Sequence, residues 1–286
     1  MCLRKNLYAR TALISLCIFS VLLFVYSFER YDGRLKVYFL DVGQGDAIYA
    51  RTPSGKDILI DGGPSKILLR RLSEVMPWYD RSIDVVIATH PDADHIGGFP
   101  DLLKRYHVSS YFHSGAQSKN AIDDEILRIL DEKGIKVELL RRGQRLDFRD
   151  GVHFDVLYPE VDVFKKSDTN ASSIVGTLSY GSTTVMLTGD APSSVENRLL
   201  ALDEKSLRAE ILKAGHHGSK TSSSENFLRA VAPRFAVVSS GADNRYGHPS
   251  VEVLERFAKL GIEIFRTDKL GTIRLILTES TSEVDD

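Results

Sequence analysis

Residues 83–98 read Ile-Asp-Val-Val-Ile-Ala-Thr-His-Pro-Asp-Ala-Asp-His-Ile-Gly-Gly. The first six residues form a β-branched apolar run, which predicts a strand buried on both faces. The apolar spacing of 99–106 predicts a helix directly afterwards. The loop between them therefore leaves the carboxyl end of a strand, where open α/β sheets commonly place their chemistry. It carries four side chains of metal-binding type: His90, Asp92, Asp94 and His95.

Two later segments deliver the same kinds of side chain. Asp190 follows the β-branched run 183–187, and the pair His216-His217 follows an apolar run that begins at Ile211. The chain has eight histidines, and half of them lie in these loops. A single polar residue of this kind is usually just solvated surface. Four of them at the spacing of 90–95, with further ones at two other strand ends, are much harder to dismiss and indicate metal binding.

The ordered motifs resemble the metallo-β-lactamase fold superfamily. They are Asp61-Gly62-Gly63, His90 to His95, Gly189-Asp190 and His216 to Ser219. More narrowly, Phe39 to Ile48 and Tyr246 to Pro249 resemble the hydrolase domain of the ComEC/Rec2 competence proteins. The resemblance runs from about Leu35 to Leu277. It implies an α/β fold, a four-layer αββα sandwich with a metal site at one edge.

The resemblance also implies ligand roles. A first ion would be held by His90 and Asp92, and a second by Asp94, His95 and one of His216 or His217, with Asp190 bridging them. Asp92 stands where the superfamily usually has histidine. A hard anionic oxygen in place of nitrogen shifts metal preference from zinc toward manganese or magnesium, while zinc stays open. Because the first position lacks a clear further ligand, we expect one or two divalent ions, Mn²⁺ or Zn²⁺.

Other residues are expected to surround these ions. Asn170 and Ser173 lie where the superfamily's third motif would fall and resemble the competence branch's own pattern, and Asp61 is expected at the edge of the site. The predicted catalytic residues are Asp94, Asp190, His248 and Lys213. For Lys213, a solvated lysine at a strand edge is an equal alternative. We interpret His153 as a structural residue of a short strand.

These residues predict metal-assisted hydrolysis by a metal-bound hydroxide, since a bound ion lowers the pKa of its water from about 15.7 toward about 7. The resemblance implies a phosphodiester substrate such as single-stranded DNA. Hydrolysis of another ester or amide is an alternative; β-lactam cleavage fits less well, because the ligand pattern departs from that of those enzymes. A non-catalytic, metal-stabilised module that assists an unknown membrane partner is an alternative of a different class.

The N-terminus predicts a membrane anchor. Residues 11–28 are apolar throughout, near the lower end of the roughly 17 to 25 residues that cross a bilayer. Basic residues precede this run, which orients the tail toward the cytoplasm. We expect a tail and transmembrane signal anchor over 1–30 and a hydrolase domain over 31–286, outside the cytoplasmic membrane of a single-pass protein. A cleaved signal peptide is the main alternative, although 24–28 lacks a small-residue cleavage site.

Net charge and cysteine content do little to distinguish between the candidate functions. The formal net charge is −2, and removing 1–30 takes away four basic and one acidic side chain, leaving about −5. This is not the basic footprint of a nucleic-acid binder, but a metal site can engage phosphates without one. Both cysteines, Cys2 and Cys17, lie in the N-terminal segment, so the predicted domain needs no disulfide. Residues 279–286 are interpreted as a frayed acidic tail.

Overall fold

The computed structural model of the chain describes residues 8, 10–21, 33–118, 120–160, 168–203 and 206–285. In this part of the chain, the first sheet contains β1 (Leu35–Phe39), β2 (Ile48–Arg51), β3 (Asp57–Ile60), β4 (Ser82–Ala88), β5 (His107–His113), β6 (Lys136–Leu139), β14 (Ile273–Leu277) and β15 (Ser282–Asp285). The second sheet contains β7 (Arg145–Asp147), β8 (Val152–Tyr158), β9 (Val175–Tyr180), β10 (Thr183–Leu187), β11 (Ile211–Lys213), β12 (Phe235–Val238) and β13 (Glu263–Arg266). The strand orders are β15-β14-β1-β2-β3-β4-β5-β6 and β13-β12-β11-β10-β9-β8-β7.

Helices cover the outer face of each sheet. They are α1 (Ile67–Val75), α2 (Ala93–Ile96), α3 (Phe99–Arg105), α4 (Ala121–Glu132), α5 (Ser193–Asp203), α6 (Glu225–Val231), α7 (Val251–Lys259) and α8 (Thr267–Leu270). One apolar cluster fills the space between the sheets, a second lies between the first sheet and α1, α3 and α4, and a third lies under α5, α6 and α7. The fold is therefore the predicted four-layer αββα sandwich.

The strands show why the sequence folds into layers. In β1, Val37 and Phe39 enter the cluster between the sheets, whereas Tyr38 packs toward the helices, as the two-residue period of a strand requires. In β4, Val86 belongs to the helix-side cluster and Ile87 to the cluster between the sheets. The prediction of a strand buried on both faces, followed by a helix over 99–106, is confirmed.

The C-terminal residues differ from expectation. Instead of a frayed tail, β15 pairs antiparallel with β14, with Leu275 opposite Val284. Val284 packs against the cluster between the sheets. The prediction of a frayed tail was wrong because strand pairing, the packing of Val284 and a hydrogen bond from the Ser282 hydroxyl to Glu210 (2.6 Å) hold the segment on the core.

The N-terminal prediction falls partly outside the described residues. The chain is helical over 10–21, and 22–32 lie outside the described part. Among the described residues, no helix is both long and apolar enough to cross a membrane.

The topology gathers strand ends from both sheets. In the first sheet β3 and β4 run parallel, and in the second β10, β11 and β12 run parallel. Because neighbouring parallel strands end at the same edge of a sheet, the loops that follow them lie together. These loops carry Asp61, the segment 89–95, Asp190 and the turn Gly215–Gly218.

Candidate metal centre

Four buried side chains converge where the loops of the two sheets meet. One potential ligand atom from each of Asp46, His95, Asp190 and His217 lies within 4.8 Å of all the others. Asp46 precedes β2 and His95 lies in α2, so the first sheet supplies two of them; Asp190 follows β10 and His217 follows β11 in the second sheet. The sequence analysis did not single out Asp46. Its signal was an aspartate inside a glycine-rich turn, in a motif quoted only for its resemblance.

Asp61 orients His95. The Nδ1 atom of His95 lies 2.8 Å from Asp61 Oδ2, so the carboxylate favours the tautomer that donates from Nδ1 and turns Nε2 inward. Thr89 fixes this carboxylate by donating its backbone N–H (2.8 Å) and its hydroxyl (2.7 Å). His95 Nε2 then lies 3.3 Å from Asp190 Oδ1. Burial alone would lower the pKa of His95, but the Asp190 and Asp61 carboxylates raise it well above its usual range.

The paired histidines occupy different environments. His217 is buried, and its Nδ1 lies 3.0 Å from the carbonyl of Ser239. Its Nε2 lies 3.4 Å from both Asp94 Oδ2 and Asp190 Oδ2. The His216 side chain is 28% exposed, with Nε2 3.6 Å from Asp190 Oδ2. Both histidines have positive φ, 48° and 54°, and this tight turn aims the two rings at one carboxylate.

His90 and Asp92 lie beside this group. His90 Nε2 is 3.7 Å from Asp92 Oδ2, and the Asp92 side chain is 34% exposed. Burial and the neighbouring His95 lower the pKa of His90 to about 3, which keeps its imidazole neutral. A neutral imidazole is the form that binds a metal.

Ser173 connects His90 to Asp190. Its hydroxyl accepts a hydrogen bond from the Asp190 backbone N–H at 3.1 Å and lies 3.3 Å from His90 Nδ1. Asn170, in the turn Asn170–Ser172, keeps a buried Oδ1 without a hydrogen-bond partner among the described residues. Through its contacts with His90 and Asp190, Ser173 directly adjoins the candidate metal centre. His153 lies in β8, paired with Asp155 at 3.4 Å, in keeping with its structural interpretation.

Lys213 is buried in the centre, so it is not a solvated lysine at a strand edge. Its side chain is 0% exposed, its Nζ contacts Asp46 Oδ2, and it donates to the carbonyl of Gly189 at 2.9 Å. Asp190 Oδ1 is 3.7 Å away. Burial alone would raise the pKa of Asp46, but the Lys213 ammonium, with His217 and His95, holds it well below its usual range. The pair therefore stays charged at neutral pH.

His248 lies at the rim of the centre. Its ring centroid is 5.6 Å from that of His216. Burial lowers its pKa, and His216 and His217 lower it further.

The residues present fit a divalent metal. Four buried polar atoms that face one another make no hydrogen bond within the described residues: His90 Nε2, His95 Nε2, Asp190 Oδ1 and His217 Nε2. Buried polar atoms are normally hydrogen-bonded, because leaving them unpaired is costly. Neutral imidazole nitrogen and carboxylate oxygen are the donors that divalent transition metals bind. A divalent ion held among His95, Asp190 and His217, whose ligand atoms lie within 4.8 Å of one another, would satisfy three of these atoms, and His90 lies beside that group.

A glycine permits the close packing around Asp94. Gly45 has φ +131°, and a Cβ placed on it would lie 2.2 Å from the Asp94 carbonyl oxygen. The next residue, Asp46, donates its backbone N–H to that same oxygen at 3.3 Å. The turn before β2 is thereby pressed directly against the loop that carries Asp94.

The family comparison agrees with this fold and site. The profile described as the Metallo-beta-lactamase superfamily matches residues 40–241. The chain belongs to this superfamily. Within it, the chain is ComEC/Rec2-like, as its similarity to curated proteins shows.

Two curated relatives illustrate this similarity. ComE operon protein 3 of Bacillus subtilis is 32% identical over 280 residues, covering 90% of this chain and 35% of that protein. Competence protein ComA of Neisseria gonorrhoeae is 31% identical over 243 residues, covering 82% of this chain and 31% of that protein. The chain thus spans about a third of the length of the curated relatives it matches.

Solved structures support the fold at low identity. Igni18, a metallo hydrolase from Ignicoccus hospitalis, aligns with TM-score 0.52 and 13% identity over 88% of this chain and 99% of that one. CmlA, a diiron β-hydroxylase from Streptomyces venezuelae, aligns with TM-score 0.54 and 15% identity over 85% of this chain and 54% of that one. These similarities establish the sandwich architecture.

Proposed function

We propose that the chain is a metal-dependent phosphodiesterase that cleaves single-stranded DNA, held at the outer side of the cytoplasmic membrane by residues 11–28. One observation carries the hydrolase part of this proposal. Side chains from both sheets aim unpaired imidazole nitrogens and carboxylate oxygens at one point, while Asp92 and Asp94 keep about a third of their side-chain surface open to solvent. A purely structural metal site has no need for such an open side.

The metal would be held by His90, Asp92, Asp94, His95, Asp190 and one or both of the paired histidines, as one or two ions. When bound, a divalent ion supplies an activated water and stabilises negative charge on a phosphoryl group. We propose Mn²⁺ ahead of Zn²⁺, because the mixed site contains several hard carboxylate oxygens.

The chain's own residues keep this site ordered. Asp61 fixes the tautomer of His95, and Ser173 holds the Asp190 backbone in place. Lys213 neutralises Asp46, which limits the negative charge that a phosphodiester must approach. His248, half-buried beside His216, would contact the phosphodiester.

Similarity to curated proteins supports DNA as the substrate. The names of two relatives, Competence protein ComA and Recombination protein 2 from Haemophilus influenzae, refer to competence and recombination, which are processes that handle DNA. Both relatives are about three times as long as the matched region. We therefore propose cleavage alone for this chain.

The test is cleavage of labelled single- and double-stranded DNA by the full-length chain with added Mn²⁺ or Zn²⁺. We expect single-stranded DNA to be cleaved and the activity to disappear in Asp94→Ala. Asp131→Ala, which removes an exposed carboxylate at the end of α4, serves as the matched control and should keep full activity. A folded, metal-loaded protein that cleaves neither DNA would refute the nuclease proposal.

Location needs a separate experiment. We expect protease added to intact cells to degrade the domain, since the basic residues before 11–28 favour a cytoplasmic tail. Protection of the domain in intact cells, with digestion after lysis, would contradict the proposed orientation.

A further inference from the structure

An exposed aromatic ring and a guanidinium lie beside the candidate metal centre, in the loop 241–248. The Tyr246 side chain is 56% exposed. The Arg245 guanidinium lies 5.1 Å from the Tyr246 ring centroid and donates to its hydroxyl at 2.9 Å. A single exposed tyrosine is normal on a protein surface, but this ring also contacts other rings that lead to the metal centre.

A series of rings joins Tyr246 to the metal centre. The Tyr246 ring is stacked on His248, with centroids 5.8 Å apart and planes 22° from parallel. His248 in turn lies 5.6 Å from His216, whose Nε2 faces Asp190. The exposed end of this series is therefore only two ring contacts away from a candidate metal ligand.

The loop 241–248, which carries Arg245 and Tyr246, is held in place by hydrogen bonds. Asn244 donates to the carbonyls of Gly241 (2.9 Å) and His248 (2.6 Å), and its Oδ1 accepts from the backbone N–H groups of Tyr246 (3.2 Å) and His248 (3.0 Å). One amide side chain thus closes the loop upon itself. A fixed aromatic surface costs less conformational entropy on binding than a mobile one.

A cavity connects this surface with the metal centre. It has a volume of about 380 Å³ and is lined by Gln44, Pro64, Asp94 and residues 244–246 among others. Asp94 therefore belongs both to the candidate metal centre and to the wall of this cavity. A nucleic-acid strand whose phosphate lies at the metal centre would place the groups next to that phosphate in this cavity, against Tyr246 and Arg245.

We propose that Tyr246 and Arg245 form a stacking platform for an unpaired base of the single-stranded nucleic acid, next to the phosphodiester that is cleaved. The proposal rests on the proposed phosphodiesterase function and adds a reason for preferring single strands. Aromatic rings and the guanidinium planes of arginine can stack on any of the bases, so this binding depends little on the nucleotide sequence. A base paired in a duplex is already stacked on its neighbours and cannot be placed on the platform.

The test compares two probes of equal length: fluorescein-labelled dodecathymidylate and an abasic dodecamer with the same phosphates. Binding is measured by anisotropy with the full-length chain in detergent and Ca²⁺ in place of the catalytic ion, so that it is independent of turnover. We expect wild type to favour the base-bearing probe, and Tyr246→Ala to weaken its binding about tenfold while leaving abasic binding unchanged.

Two variants serve as controls. Tyr246→Phe keeps the ring and should retain the preference, and Trp78→Ala removes an 85% exposed aromatic side chain elsewhere and should change nothing. Equal binding of both probes by wild type, or an equal loss on both in Tyr246→Ala, would overturn the platform. Base-dependent binding without any cleavage in Mn²⁺ or Zn²⁺ would instead keep the platform and refute the phosphodiesterase.

Discussion

Replacing Lys213 with methionine should strongly destabilise the metal-free protein. Methionine keeps most of the side-chain volume but removes the ammonium, leaving the Asp46 carboxylate buried at 1% exposure with only the His217 and His95 rings beside it. Breaking a buried ion pair by removing one partner costs about 3–5 kcal/mol. For a chain of this size, that corresponds to a loss of on the order of 10 °C in melting temperature.

The measurement is urea unfolding in excess EDTA. The double variant Lys213→Met, Asp46→Asn removes both charges and should recover at least half of the lost free energy of unfolding. Lys136→Met is the matched control: that lysine is 68% exposed and pairs with Glu138 on the surface, so its loss should cost less than about 1 kcal/mol. A Lys213→Met protein as stable as wild type, or a double variant no more stable than the single one, would refute the reasoning.

The same pair predicts a pH dependence. Because the pKa of Asp46 is held well below its ordinary value of 3.8, its charged form stabilises the fold. This contribution is present above about pH 3.8 and is lost as the pH falls through the lower folded-state pKa. The free energy of unfolding should therefore fall less steeply with acid in Asp46→Asn than in wild type.

Three further predictions concern metal affinity, measured by equilibrium dialysis. His217→Ala should weaken binding more than His216→Ala, because His217 is fully buried between two carboxylates; equal effects would contradict this. Asp61→Asn should weaken binding about 10–100-fold, the usual cost of losing a carboxylate behind a ligating histidine, and an unchanged affinity would show that it does not orient the ring. Gly45→Ala should weaken metal binding, because its Cβ would collide with the Asp94 carbonyl. Gly43 also has positive φ, but among the described residues no atom lies within 4 Å of a Cβ placed there. Gly43→Ala should therefore mainly lower stability.

Much of the site could be predicted because its residues follow strands. A buried β-branched run ends in a loop at the sheet edge, so metal-type side chains at 90–95 and 190 could be predicted, and the resemblance to the metallo-β-lactamase superfamily brought them into one centre. Asp46 was missed because it lies in a turn between antiparallel strands, where glycine-rich sequence indicates only a change of direction. Its proximity to Lys213 depends on how the two sheets pack, which no local pattern encodes.

The edges of the fold were less predictable for a similar reason. The segment 279–286 has an acidic composition typical of a solvated tail, but Val284 reaches the core between the sheets. Specific contacts, among them the hydrogen bond from Ser282 to Glu210, hold the segment there, and average composition cannot detect them. Lys213 is a similar case: the sequence left a role in the site and a solvated surface position equally open, and its buried contact with Asp46 decides between them.

Both sheets contribute ligands to the candidate centre, which gives an ion bound there a second effect. It would join the two halves of the sandwich much as a cross-link does, at the edge where the sheets meet. An ion that binds only the folded chain adds stability by mass action, about 2.7 kcal/mol at a hundred times its dissociation constant. The stability of the folded domain, and with it the lifetime of the folded state, would then increase with the free metal concentration around it.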